Sequence, residues 1–197
     1  MEIHRLSTLL AHAFHEDPMQ RWLFPRDDRR VAQIAELMAR DIEHRLLPFT
    51  RLVYGSDGHS ASFVEHRLEP VAPATPWRVA PAFLSLVGSR AVRAWRMLRL
   101  IDAAHSSIGP HLYLGHLAVA KPHRGAGRAS ALLHHTMTTA DDLDVGVYVE
   151  TANPASLPLY ARHGLVVLQE IRVPRVPPVW TLWRPPSSTG QDSDGQG

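Results

Sequence analysis

The stretch from His111 to Gly164 constrains the fold more than any other part of the chain. An apolar run over residues 112–119 has the length and composition of a buried strand. A turn with two glycines follows, and apolar residues at helical spacing then indicate a helix. Residues 145–151 indicate a second strand, and a short helix opened by a proline ends at Gly164. This order of elements predicts an α/β protein.

The glycine-rich turn predicts a site for an anion. It opens a helix, where unpaired first-turn N–H groups and the positive end of the helix dipole point at whatever is bound. Gly125 and Gly127 carry no Cβ, so a phosphate can approach the backbone. Arg124 and Arg128 add charge of the right sign. On glycine spacing alone, an ordinary strand–turn–helix corner with surface arginines explains the turn equally well.

The residues around the turn resemble a known signature. Residues 124–129, RGAGRA, are similar to the Arg/Gln-x-x-Gly-x-Gly/Ala motif by which GNAT-superfamily acyltransferases hold the pyrophosphate of acetyl-CoA. Residues 150–164, ETANPASLPLYARHG, resemble a pattern of the puromycin N-acetyltransferase-like members, and residues 177–185 resemble the last strand of that group. The resemblance is specific over the C-terminal half of the chain.

The resemblance implies the GNAT fold, an α/β (α+β) architecture with a mixed central sheet of about six strands flanked by helices. A length of 197 residues and 45% hydrophobic content suit one such domain, over residues 1–186. Residues 187–197 lack apolar side chains and are expected to form a disordered tail. Members of the family begin with a strand, whereas this sequence starts almost at a helix. The sheet is therefore expected to lack its first edge strand, unless that strand lies upstream.

The N-terminal half predicts helices and one hairpin. A first amphipathic helix is expected over residues 7–14, with Ser7 as its N-cap, and an apolar turn over residues 19–25. A second helix follows from Asp27 until Pro48 stops it. The remaining expectations are strands at 50–54 and 59–65 around a Ser-Asp-Gly turn, a proline-rich loop at 69–81 and a helical region at 81–105.

The resemblance assigns residues to acetyl-CoA, the implied co-substrate. They comprise the end of the central strand, the glycine-rich loop and the turn after the second strand: Leu117, Ala118, Val119, Arg124, Gly125, Ala126, Gly127, Arg128, Ala129, Asn153 and Ser156. In relatives a backbone N–H near Val119 binds the thioester carbonyl. Strands that splay apart form the cleft.

The resemblance also assigns the general acid, while the base stays open. Tyr160 matches the family tyrosine that protonates the departing CoA sulfur. Candidate bases are Tyr113 and His116 on the central strand and Glu150 on the next, where Glu150 acts through water or orients the amine. Strict alternation places His111, Tyr113 and Gly115 on one face and Leu112, Leu114 and His116 on the other. Only one of these sets can then face the cleft.

Composition excludes several other classes of protein. The charges are nearly balanced, with 21 basic and 19 acidic residues, and the arginines are dispersed, so no nucleic-acid partner is expected. No cysteine is present, which removes a thiolate nucleophile and a cysteine metal site. The 13 histidines lack metal-ligand spacing, so no metal is expected. No segment resembles a membrane span or a signal peptide, and a cytoplasmic location is the default.

The function implied is acetyl-CoA-dependent N-acetylation of a small-molecule amine by direct attack, in a monomer or homodimer. Trp77, Phe83 and Trp95 are candidate aromatics of the acceptor pocket, although packing explains each of them as well. Two alternatives stay open. The acceptor could be a peptide or protein N-terminus or a hydroxyl, or the chain could be a non-catalytic acyl-CoA-binding module.

Overall fold

The computed structural model describes residues 2–43, 50–54, 58–68, 87–105 and 107–188. The helices are α1 (Glu2–Phe14), α2 (Pro18–Leu23), α3 (Asp27–Asp41), α4 (Ala91–His105), α5 (Arg128–Asp142) and α6 (Leu157–Ala161). The strands are β1 (Thr50–Tyr54), β2 (Ser60–Arg67), β3 (His111–Val119), β4 (Gly146–Thr151), β5 (Val166–Ile171) and β6 (Val179–Arg184). Short 3₁₀ turns lie at Gly88–Arg90, Lys121–His123 and Pro154–Ser156.

The six strands form one mixed sheet in the order β1-β2-β3-β4-β6-β5. Among the strands that the structure describes, only β3 and β4 pair in parallel, and α5 makes the crossover between them; the other pairs are antiparallel. The predicted mixed sheet of about six strands is confirmed. Within the described residues no strand precedes α1, and β1 is an edge strand.

Each face of the sheet has its own helices. One face of the sheet, called the α5 face below, packs against α5 and α6. Its apolar cluster includes Val64, Leu112, Leu114, Leu133, Met137, Val149, Tyr160 and Leu182. The opposite face, called the α1 face, packs against α1 and α3 through Leu10, Ile34, Met38, Ala61, Phe63 and Ala118. Helix α4 covers the same α1 face nearer β5 and β6, where Met97 packs on Ile171 and Val179. These apolar layers hold the middle of the sheet rigidly between helices.

A β-bulge interrupts β3 at Gly115. Phe63 is opposite His116, but the next residue of β2, Val64, is opposite Leu114, so Gly115 is the extra residue. The bulge shifts the alternation by one residue. His116 therefore lies on the α1 face together with Tyr113, and the prediction that these two occupy opposite faces is wrong. Side chains alternate strictly between the two faces of a sheet only where neither strand carries an extra residue.

The same position marks the point where β3 and β4 separate. Their parallel pairing ends at Leu114 and Val149, although β3 continues to Val119. Beyond this point β3 pairs only with β2, and β4 pairs only with β6. The opening between β3 and β4 runs from Gly115 and Glu150 toward the glycine-rich loop, and it is the expected cleft.

Two predictions for the N-terminal helices are wrong. Helix α1 begins at Glu2 instead of at Ser7, whose hydroxyl is buried inside the helix and donates to the carbonyl of His4. The expected turn after Asp17 is the helix α2. Asp17 caps it by accepting from the N–H groups of Met19 and Gln20, and Pro18 occupies the first turn, where a missing N–H costs nothing.

Several expectations concern residues outside the described ranges. They are the end of the second helix beyond residue 43, the loop at 69–81, Trp77, Phe83 and the tail beyond Ser188. Trp95 is half-buried on α4. Ser187 and Ser188, the first residues of the expected tail, hydrogen-bond to Asp141 and Asp144 at the end of α5. No helix in the described ranges combines the length and apolar character needed to span a bilayer.

Candidate active site

The glycine-rich loop presents open backbone at the start of α5. Gly125 and Gly127 have φ of 80° and 74°, left-handed values that a residue with a Cβ rarely adopts. A Cβ at either glycine would meet no atom within 4 Å, so the space over the loop is empty. Gly127 is the N-cap of α5, whose first-turn N–H groups have no partner within the helix. Open space, backbone donors and a helix N-terminus together suit the pyrophosphate of CoA.

The side chain of Arg124 anchors this loop. Its Nη2 donates to the carbonyl of Ala13 at 2.6 Å, and its Nε donates to the carbonyl of Val119 at 3.2 Å. The first bond satisfies a carbonyl in the last turn of α1, and the second holds the end of β3. Arg124 therefore positions the loop between α1 and β3. Both bonds turn its guanidinium toward these two carbonyls.

Tyr113 and Glu150 meet at the mouth of the opening between β3 and β4. The Tyr113 hydroxyl donates to Glu150 Oε2 at 3.1 Å. Glu150 is the first residue of β4 beyond the last β3–β4 pair, and Tyr113 is 7% exposed. Two of the predicted catalytic residues are thus in direct contact, where a group entering the opening would reach them.

Two histidines continue this contact away from the opening. His111 Nδ1 lies 2.6 Å from the carbonyl of Gly109, so it carries the proton. Its Nε2 then accepts from Nε2–H of His105, at 2.8 Å. In the neutral state this leaves the lone pair of His105 on Nδ1, which lies 3.9 Å from Glu150 Oε1. His105 can therefore take up a proton on the side that faces Glu150.

Burial favours the uncharged forms of two side chains in the region of Glu150, His111 and Tyr148. Burial lowers the pKa of His111, and the charge of Arg67 lowers it further, against the opposing effects of the Gly109 carbonyl and Glu65. Tyr148 is fully buried beside Glu150, and burial together with the charge of that carboxylate raises the pKa of its phenol. His105 stacks on the Tyr148 ring at 4.6 Å. A negative charge on Glu150 is thus surrounded by aromatic rings.

His116 belongs to a different group of side chains. Its Nε2 lies 3.1 Å from Asp41 Oδ2 at the end of α3. The ring packs between Phe14 and Phe63, at 6.0 and 5.8 Å between centroids. His116 thus joins α1, α3 and β2, and this His–Asp pair is a second arrangement that could accept a proton. The bulge brings it to the α1 face, the same face as Glu150.

Tyr160 is buried on the α5 face. It is 7% exposed and packs with the apolar cluster against which Leu117 and Leu157 also lie. Burial raises the pKa of the Tyr160 phenol above its usual value, and the charge of Asp17 raises it further. The phenol therefore keeps its proton at neutral pH. No described contact joins Tyr160 to Glu150. The assignment of Tyr160 as the general acid stays a prediction.

The turn after β4 is held by its own side chains. Asn153 Oδ1 accepts from the N–H of Ala155, and the Asn153 N–H donates to Thr151 Oγ1. These bonds start the 3₁₀ turn that leads through Ser156 into α6. At the other end of α6, His163 Nε2 lies 2.7 Å from Ser130 Oγ in the first turn of α5. The turn thus follows the part of β4 that lies beyond its last pair with β3.

Sequence reasoning missed two residues of this region, Glu65 and His105. Glu65 lies opposite Tyr113 in the β2–β3 pair and is 3% exposed. His105 ends α4, in a region that the sequence indicated only as helical. The sequence carries no local signal for either, because both reach the site through long-range pairing and packing. Among the described side chains, no group of three or more His, Asp or Glu residues could hold a metal ion.

The sheet that opens between β3 and β4, with a glycine-rich loop at its end, defines a protein of the acyltransferase class. The chain belongs to the acetyltransferase (GNAT) family, whose model matches residues 57–165, more than half of its length. It is accordingly an acetyl-CoA-dependent acyltransferase. This family supplies the co-substrate that the open loop at Gly125 and Gly127 suits.

Solved structures share the fold along nearly the whole chain. The Corynebacterium glutamicum protein named histone acetyltransferase HPA2 and related acetyltransferase has a TM-score of 0.68 at 26% identity, over 94% of this chain and 92% of that chain. The polyamine N-acetyltransferase of Drosophila melanogaster, which forms N-acetylagmatine, has a TM-score of 0.62 at 19% identity, over 92% and 94%. An agmatine N-acetyltransferase has a TM-score of 0.58 at 18% identity, over 92% and 93%.

Proposed function

We propose that this protein transfers the acetyl group of acetyl-CoA to the amine of a small molecule by direct attack. The observation that carries the proposal is the contact between Tyr113 and Glu150 at the mouth of the β3–β4 opening. A carboxylate held there by a phenol, with the ring of His105 nearby, suits the acceptance of a proton from an attacking amine. The similarity of residues 150–164 to puromycin N-acetyltransferase-like members supports a small acceptor.

The loop residues Arg124, Gly125, Ala126, Gly127, Arg128 and Ala129 bind the pyrophosphate of the co-substrate in this proposal. Backbone N–H groups at the start of α5 donate most of the hydrogen bonds to the pyrophosphate. Arg124 holds the loop in place through its bonds to the carbonyls of Ala13 and Val119. The pantetheine arm lies between β3 and β4, along Leu117, Ala118 and Val119 on one side and Asn153 and Ser156 on the other. Acetyl-CoA supplies an acetyl thioester, whose carbonyl carbon bonds to the amine and whose sulfur leaves as a thiolate.

Glu150 accepts the proton that the ammonium group must lose before its nitrogen can attack. Tyr113 orients the carboxylate through its hydroxyl. His105, with its Nδ1 lone pair 3.9 Å from Glu150 Oε1, then takes the proton onward. Proton transfer by positioned groups contributes about 10²–10⁴-fold to such rates. The pair His116–Asp41 is the alternative base on the same face.

Tyr160 gives its proton to the leaving sulfur, and the second proton that the attacking nitrogen loses on forming the amide restores the phenol. A buried phenol with a raised pKa is protonated before the reaction, which is the state that a general acid requires. The tyrosine lies on the α5 face and the carboxylate on the α1 face, so the acid and the base approach the opening from opposite sides. This separation keeps the proton donor away from the carboxylate that removes protons.

Release of the CoA thiol, measured with a panel of acceptors, tests the proposal. The panel is agmatine, putrescine, spermidine, tyramine and a basic peptide with a free N-terminus. It contains several kinds of amine because proteins of the same fold include polyamine and agmatine N-acetyltransferases. We expect turnover with at least one small amine, and a fall of ~10²-fold or more in kcat for Glu150→Gln. Glu36→Gln, which alters an exposed glutamate paired with Arg40 on α3, is the matched control.

The outcomes separate the alternatives. Turnover of the peptide alone would assign a protein acceptor. Binding of acetyl-CoA without turnover of any acceptor would support the binding module instead. A Glu150→Gln variant that retains full activity, together with an inactive His116→Gln variant, would transfer the role of the base to the His116–Asp41 pair.

A further inference from the structure

Glu65 is a buried carboxylate with one oxygen that lacks a partner. The residue is 3% exposed and lies on β2, between β1 and β3. Both Arg67 Nε and Arg67 Nη2 donate to the same oxygen, Oε2, at 2.9 and 2.6 Å. A paired guanidinium and carboxylate commonly use two oxygens. Within the part of the chain that the structure describes, Oε1 has no hydrogen-bond partner.

The unpartnered oxygen points toward the bulge. A Cβ built on Gly115 would lie 3.9 Å from Glu65 Oε1 and 3.5 Å from Tyr113 Cε1. Gly115 is half-exposed and is the first residue of β3 beyond the last pair with β4. The missing side chain of Gly115 therefore leaves a space that is bordered by Glu65 and Tyr113 and lies at the mouth of the opening.

Leaving a carboxylate oxygen buried without a donor is costly. The desolvation penalty of an unsatisfied buried polar atom is largest when the group is charged. A ligand that donates a hydrogen bond to the oxygen removes this cost. The charges nearby indicate the chemical type of the donor group. Glu65 and Glu150 bring two negative charges to this region of the α1 face, and Arg67 offsets one of them.

We infer that Glu65 Oε1 binds the ammonium group of the acceptor beside Gly115. The inference rests on the proposed function and specifies its acceptor as an amine that arrives as a cation. The ring of Tyr113 borders the same space, and its centroid lies 4.5 Å from that of His105. Aromatic faces favour a cation over a neutral group. Glu65 binds the ammonium group, and Glu150 accepts its proton.

The test measures equilibrium binding without turnover. Calorimetry in the presence of CoA compares tyramine, which is a cation at neutral pH, with tyrosol, in which a hydroxyl replaces the amine. We expect the wild type to prefer tyramine. Glu65→Gln should weaken the binding of tyramine about 10- to 100-fold, the range for a hydrogen bond to a charged group, and change the binding of tyrosol little. The glutamine oxygen can still accept from Arg67, while its amide group replaces Oε1.

Glu170→Gln is the matched control. Glu170 also pairs with an arginine two residues further along the chain, since Arg172 Nη2 lies 2.6 Å from Glu170 Oε1. Glu170 lies on the edge strand β5 and Arg172 just beyond its end, and their side chains are 29% and 72% exposed. Its loss should leave the binding of both ligands unchanged. If Glu65→Gln does not fold, Gly115→Ala serves instead, because its methyl group makes only ordinary contacts and fills the space in front of Oε1.

The results distinguish this inference from the proposed function. The inference is overturned if the wild type binds tyramine no better than tyrosol, or if Glu65→Gln and Gly115→Ala both bind tyramine as the wild type does. In that case acetylation in the acceptor panel still stands by itself. If instead tyramine binding depends on Glu65 but no acceptor turns over, the cation site is upheld and acetyl transfer is the part that fails.

Discussion

The hydroxyl of Tyr113 donates to Glu150 Oε2 over 3.1 Å, at the level where β3 and β4 stop pairing. The bond joins the two strands just before they separate. It therefore fixes the orientation of the carboxylate at the point where an acceptor would enter. The bulge at Gly115 directly follows, so the geometry of the opening depends on a single interruption of β3.

Replacing Tyr113 by phenylalanine should lower the rate without unfolding the protein. The ring keeps its packing, but Glu150 loses the donor that holds its carboxylate. Loss of a hydrogen bond to a charged group corresponds to ~10-fold or more in kcat/KM for the amine. Steady-state kinetics and calorimetry with acetyl-CoA are the measurements. An unchanged kcat/KM would show that the carboxylate of Glu150 keeps its orientation without the Tyr113 hydroxyl.

A carboxylate at Gly127 should abolish most of the binding of CoA. Gly127→Asp adds a Cβ at a φ of 74° and a negative charge where the pyrophosphate is expected. We expect a loss of ~10²-fold in affinity by calorimetry, from combined strain and repulsion. Gly88→Asp is the control for strain, because Gly88 also has a positive φ and open space but lies away from the loop. Equal affinity in both variants would refute the loop assignment.

Arg124→Ala should act mainly on stability. The guanidinium bonds the carbonyls of Ala13 and Val119, so its removal frees the loop from α1 and β3. We expect a loss of about 1–2 kcal/mol in the free energy of unfolding, seen as a fall of a few degrees in Tm. The affinity for CoA should fall less than in Gly127→Asp. A large loss of affinity at unchanged Tm would instead make Arg124 a direct phosphate ligand.

Acidification should destabilise the fold through His111. Burial lowers its pKa in the folded state below the value of about 6.5 in the unfolded chain. Below that pH the unfolded state binds more protons, so the free energy of unfolding falls as pH drops through 6.5, by at most ~1.4 kcal/mol per pH unit for one group. Above pH ~7.5 this contribution is constant.

Urea unfolding between pH 5.5 and 8 measures this dependence. His111→Asn should flatten the slope below pH 6.5, whereas His135→Asn, at an exposed site on α5, should leave it as in the wild type. The same slope in His111→Asn and wild type would mean that other histidines cause the acid sensitivity.

Local patterns predicted the strands and helices of the C-terminal half well. The apolar run that forms β3, the two glycines before α5 and the proline-opened turn before α6 each carry their signal in consecutive residues. The resemblance to the family rests on residues of this half, and the mixed sheet was what that resemblance implied. In contrast, α1 begins five residues before Ser7, because no local signal marked Glu2 as a helix start.

The details of the site depend on pairing that no local pattern encodes. The alternation of β3 could not reveal that Gly115 is an extra residue, since the bulge is defined by its partners Phe63 and Val64 on β2. The same register places Glu65 opposite Tyr113. His105 reaches Glu150 only because α4 packs across the α1 face. The residue types indicated which side chains are able to take part in the chemistry, but tertiary packing decides which of these side chains meet.

Tyr160→Phe tests whether the buried phenol is the general acid. Phenylalanine keeps the ring in its apolar cluster and removes only the hydroxyl, so folding and affinity for acetyl-CoA should be nearly unchanged. Burial and the charge of Asp17 hold the pKa of Tyr160 above its usual value, so the wild type carries the proton over the whole neutral range.

The rate of the chemical step should fall ~10²-fold or more in Tyr160→Phe, the scale for loss of a positioned acid. Single-turnover measurements are required, because slow product release would hide part of the effect in kcat. An acyl donor with a better leaving group, such as an aryl thioester, needs less protonation, so it should recover part of the rate in the variant. A wild-type single-turnover rate in Tyr160→Phe would make Tyr160 a packing residue, and the acid would then have to be sought among the other groups at the β3–β4 opening.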